Sequence, residues 1–158
     1  MATPSLFRAL PAARRVALLT RLAAERKQAR ALFIQRLVNR GGGFRAVTLM
    51  QWPPAKLAAE FMRLNAQTAE DEVDFLQALY VDLEPAIQTT FLQVAGVKAD
   101  AAVIDETLEA PYAEAAAVKR AAEAVREAYG EDGAHYLRVI ARYNAAAWPG
   151  IDEIVASM

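Results

Sequence analysis

The stretch PAARRVALLTRLAAERKQARALFIQRLVN, residues 11–39, reads as one long α-helix, and that reading decides the fold class. Pro11 suits a first-turn position, where its missing N–H is not needed, and the strong helix formers Ala, Leu, Arg, Glu, Lys and Gln dominate the interior. Gly41-Gly42-Gly43 then ends the helix. With about 100° of rotation per residue, Leu18, Leu22, Ala29, Leu32 and Phe33 gather on one side as a core-facing stripe. Arg15, Arg26, Arg36 and Arg40 lie close to that stripe. An unpaired buried guanidinium is too costly to keep, so these arginines are expected to meet carboxylates of later helices or to lay their stems along apolar neighbours.

Outward from this helix the same patterns recur. In the connector Phe44 to Trp52, Val47-Thr48-Leu49 suits a brief extended segment, and Pro53-Pro54 opens a second helix to about Asn65. Thr68 precedes Asp71 by three residues and is followed by Glu70 and Glu72, an N-cap with acids in the first turn, where the helix dipole favours them. The helix that starts there groups Phe75, Leu76, Leu79, Tyr80 and Leu83 on one side and Glu70, Asp71, Asp74 and Asp82 on the other. Pro85 begins a new helix ended by Gly96, and Lys98 to Glu109 reads as loop. Pro111 starts an Ala-rich helix that ends at Gly130. A further helix starts at Asp132 or Gly133 and runs to about Ala146, and Trp148-Pro149 opens a last short one. The two Trp-Pro pairs share nothing beyond the dipeptide, so they are not an internal repeat.

Charge is distributed unevenly. Residues 1–46 hold ten Lys and Arg against Glu25 alone, whereas the remainder holds eight against eighteen acids, although the total is −1. Such an internal dipole either closes on itself or offers two charged faces to partners. Apolar residues make up 55% and charged residues 23% of the 158, a globular composition. Cysteine is absent, which excludes disulfides, thiolate metal sites and cysteine nucleophiles. The longest uncharged run, Pro85 to Val97, is too short and too polar to span a bilayer. Residues 1–24 lack acids and carry four arginines, as transit peptides do, but the helical period runs on past them, so they read as part of the fold.

Several chemistries fail on composition. A di-iron bundle needs two Glu-x-x-His motifs, and His135 is the sole histidine. A serine triad finds its serines only at Ser5 and Ser157. Glu70, Asp71, Glu72 and Asp74 are dense, but consecutive helical residues diverge and no calcium loop surrounds them. The glycine triplet follows a helix instead of a strand and lacks the Lys-Ser/Thr of a phosphate loop.

The chain is therefore expected to be all-α: a cytoplasmic single-domain bundle, residues 1–158, of six to seven helices. One long basic N-terminal helix (11–39) precedes an acidic helical remainder (44–158), and Ala and Arg usage points to a GC-rich bacterial genome. The expected role is a non-catalytic interaction or assembly module, with no cofactor, no metal and no membrane span, that meets a protein partner or a second copy of itself. Arg14, Arg21, Lys27 and Arg30 are the expected contact residues, with Trp52 and Trp148 as aromatic anchors. Two alternatives stand beside it: nucleic-acid binding through the basic helix, and a small-molecule-binding bundle or enzyme that uses carboxylates and His135 with Tyr136 and Tyr143.

Overall fold

A computed structural model describes residues 3–40 and 43–158, and these are mostly helical. The chain falls into two compact units, residues 1–75 and 76–158. The first holds α1 (Leu6–Ala9), α2 (Ala12–Glu25), α3 (Lys27–Asn39), α4 (Ala46–Leu49), α5 (Pro54–Arg63) and the start of α6 (Ala69–Gln77). The second continues from α6 through a π-helical turn (Ala78–Leu83) to α7 (Ala86–Ala95). A two-residue antiparallel hairpin pairs β1 (Ala99–Asp100) with β2 (Val103–Ile104), and α8 (Ala115–Asn144) and α9 (Ile151–Ala156) complete the unit.

The expected long helix over 11–39 is two helices. Arg26 adopts an extended conformation (φ −128°, ψ 114°), which ends α2 and starts α3. Both segments keep the apolar spacing of a helix, so the periodicity reads across a break that the residue types do not announce. The helices number nine among the described residues where six or seven are expected, because single-turn segments such as α1 and α4 are too short to carry a period. Val47-Thr48-Leu49 is helical, within α4, and not extended. Part of the expected 98–109 loop is the hairpin.

In the first unit, α2, α3 and α5 pack together around the rings of Phe7, Phe33, Phe61 and Phe75. Phe33 and Phe61 lie 4.5 Å apart by centroid, and Phe75 stands 5.5 Å from Phe7. Each buried ring removes enough apolar surface from water to contribute about 1.5–3 kcal/mol. Beside them Leu37, Leu49 and Leu57 form a smaller aliphatic cluster, flanked by Ile34, Phe44, Trp52 and Leu64. Arg36 forms two hydrogen bonds to Asp71, at 2.6 and 3.1 Å, and a third to the Ala66 carbonyl at 3.0 Å. Asp71, expected on the polar face of its helix, is thus turned inward. It also accepts from the Thr68 N–H while its own N–H donates to the Thr68 hydroxyl, a reciprocal cap.

In the second unit α7 lies along α8, and α9 returns against α8. Its core is a chain of ring contacts through Tyr80, Tyr136, Phe91 and Trp148, with centroids 5.2, 5.6 and 4.9 Å apart in that order. The expected helix end at Gly130 is present as a break inside α8, where Gly130 adopts φ 56° and ψ −126°.

Candidate functional site

The first unit carries an open groove of about 530 Å³ between α3 and α4. Its origin is a helix that is apolar on two sides. Phe33 and Leu37 face the core and are fully buried, while Ala31, Ile34 and Val38 form a second stripe roughly 100° around the same helix. Among the described residues of the unit, none fully covers that second stripe. Ala46 and Met50 supply the opposite wall, and Lys27, Arg30, Gln35 and Asn39 complete the lining. Val38 is 36% and Met50 64% exposed.

Three contacts hold the α4 wall. Leu49 is buried in the Leu37–Leu49–Leu57 cluster, which turns Met50 outward on the next position. Phe44 meets Trp52 edge to face at 5.3 Å. Arg30 reaches from α3 to donate to the carbonyls of Met50 and Trp52, both at 2.8 Å, just past the end of α4 where helical N–H partners run out. The guanidinium is therefore both a cation on the groove and the strut that positions one wall of it.

Of the expected contact residues, Lys27 and Arg30 are brought together here, and Trp52 joins them through Arg30. Trp52 is half-buried between Phe44 and the Lys56 ammonium, which sits 4.1 Å from its ring centroid, so it supports the wall from behind. Arg14 and Arg21 lie on α2 and do not line the groove; Arg21 pairs with Glu25 one turn on, at 3.4 Å. Trp148 is 2% exposed, clasped by Phe91 and Tyr112, and is a core residue of the second unit. Gly41 and Gly42, considered as an anion loop, lie outside the described residues; Gly43 takes φ 77°, a left-handed turn.

The catalytic alternative finds its residues in the core. His135 is 6% exposed, and its Nδ1 shares a 2.5 Å hydrogen bond with the Tyr80 hydroxyl. Burial pushes the Tyr136 phenol well above its ordinary range, and Tyr80 adds to the shift, so it stays a neutral donor, 3.4 Å from Gln88 Oε1. Gln88 in turn donates to the Ala102 carbonyl at 2.6 Å. This is a satisfied polar chain of the kind a buried aromatic core requires. The acids of α6 also turn inward in part. Glu72 is buried and accepts from the Ser5 hydroxyl and from the backbone N–H groups of Leu6 and Phe7, both at 3.2 Å, so it caps α1. Among the described residues, no three His, Asp or Glu side chains converge as metal ligands would.

The groove was hidden in the sequence by the reading of 11–39 as one helix with one stripe. The signal is present in Ala31, Ile34 and Val38, spaced three and four apart beside Phe33 and Leu37. It becomes legible once α3 is taken by itself. No helix of the described residues is long and apolar enough to cross a membrane. No protein-family model, curated protein or solved structure matches the chain.

Proposed function

We propose that this chain is a non-catalytic interaction module whose docking face is the α3–α4 groove and whose occupant is an acidic segment of a protein partner. The observation that carries this reading is the lining itself: an apolar floor of Ala31, Ile34, Val38, Ala46 and Met50, two cations, and no carboxylate. An exposed apolar surface of this kind costs free energy in water at roughly 25 cal/mol per Å², which a partner would recover on docking. The cations contribute less to affinity than to the choice and orientation of that partner. Catalysis draws no comparable support, because His135, Tyr80 and Tyr136 are occupied with one another and with Gln88 in the core.

The test is recovery of the native complex from cells, with mass measured at low and high salt, for the native chain and for the double variant Val38→Asp/Met50→Asp. Both positions are exposed, so the variant should keep its helical circular dichroism. The expected result is a stoichiometric protein complex with the native chain that is lost with the variant. Retention of the complex by the variant overturns the proposal, as does recovery of the chain with nucleic acid in place of protein.

A further inference from the structure

We infer that the groove takes an amphipathic helix of another protein, with carboxylates at the end of that helix lying over Lys27 and Arg30. The inference rests on the groove being the docking face and goes on to its occupant. The α3 side of the lining is Lys27, Arg30, Ala31, Ile34, Gln35, Val38 and Asn39, which recur at i, i+3, i+4, i+7, i+8, i+11 and i+12 and so share one face of the helix. These trace one continuous trough along twelve residues of rise, about 18 Å at 1.5 Å per residue. That length matches about three turns of a second helix, and anchors at i, i+3, i+4 and i+7 on the occupant would follow it.

Backbone chemistry narrows the occupant further. Both walls of the trough are helical, so neither offers the strand edge along which an extended peptide would pair. A segment lying on an apolar floor must satisfy its own backbone, and a helix does so. Charge then sets one end apart. Lys27 and Arg30 stand at the N-terminal end of α3, where the helix dipole is positive, while the other end is lined by the uncharged Gln35 and Asn39. Both cations of the lining stand at the first end, so carboxylates are favoured there.

The probes are three synthetic peptides of about 14 residues, long enough to be helical when stapled, with the same leucine stripe. One carries a Glu cluster at its N-terminus, one the same cluster at its C-terminus, and the third carries Lys in place of Glu. Binding to the full chain is read by fluorescence anisotropy at about 50 mM salt, where exposed charges are weakly screened. One acidic peptide is expected to bind at least about ten-fold more tightly than the Lys peptide. Lys27→Glu should abolish or reverse that preference, while Lys119→Glu, on the exposed side of α8, leaves it intact. Equal binding of all three peptides, or a preference that survives Lys27→Glu, overturns the inference.

Val38→Asp separates the two levels. If it abolishes binding of peptides that show no charge preference, the groove stands as the docking face and the acidic helix falls. If it leaves every peptide bound, the docking face itself falls. Sedimentation of the native chain is the last arm: a homodimer dispersed by Val38→Asp would put a second copy in the groove and overturn the assignment to another protein.

Discussion

The bond between Arg36 and Asp71 shows how one carboxylate can serve two levels of structure. Asp71 caps its own helix through Thr68 and holds α3 through Arg36, and its side chain is nearly buried. Removing Asp71 leaves a mostly buried guanidinium with only the Ala66 carbonyl and partial solvent contact, so Asp71→Ala is expected to lower unfolding free energy by about 2–3 kcal/mol. Replacing both members by apolar residues should cost less than that, and a double-mutant cycle in urea checks the difference. The cap is readable from Thr68 and Asp71 three apart, but the choice of Arg36 as partner is not: of the four arginines beside the stripe, Arg15 and Arg40 bond backbone carbonyls, of Leu10 and Asn65. Asp105 gives a milder case. The Thr107 hydroxyl and N–H, with Lys98 beside them, hold its carboxyl below the ordinary carboxylate range. A depressed pKa in the folded state favours folding above the ordinary carboxylate pKa, and the contribution disappears as pH falls through the depressed value. Thr107→Val should move the Asp105 titration back up, as read from its carboxyl carbon by NMR.

At the scale of elements, glycine and chain breaks decide more than helix propensity. Gly130 sits at positive φ with ψ −126°, a region that a Cβ makes costly, and the break it creates turns the chain so that Gly133 backs onto the Val125 carbonyl. A Cβ at Gly133 would overlap that carbonyl oxygen, which is backbone and cannot move aside. Gly133→Ala is therefore expected to destabilise the second unit by about 1–3 kcal/mol or more, measured by thermal or urea unfolding, whereas Gly96→Ala meets open space and carries only the strain of its left-handed φ. The break at Gly130 is legible in sequence because glycine ends helices. The break at Arg26 is not, because arginine is a good helix former and nothing in its residue type announces the extended conformation it adopts. For the same reason α4 escapes the sequence: one turn of helix is held by Leu49 and Arg30, both tertiary contacts, and the β-branched Val47 and Thr48 taken alone favour a strand.

Across the whole molecule, the charge asymmetry follows the two units. Residues 1–75 hold twelve Lys and Arg against six acids, and residues 76–158 hold six against thirteen. At pH 7 and low ionic strength the chain is expected to be retained on both cation- and anion-exchange resins despite a net charge near zero, and to elute from both as salt rises past the range where the Debye length falls below about 10 Å. The helical class, most helix starts and stops, the lack of cysteine chemistry and the sign of each half are properties of the sequence by itself, because they depend on local propensity, period and composition. Lys27 and Arg30, expected from the sequence as cations on the exposed side of the helix, both line the groove. The groove that unites them with Ile34, Val38 and Met50 was decided by tertiary structure. A second stripe is left open as a groove only when the neighbours that could bury it are committed elsewhere, and which of two apolar sides of α3 meets the core depends on residues far away in the chain, Leu57, Phe61 and Phe75 among them.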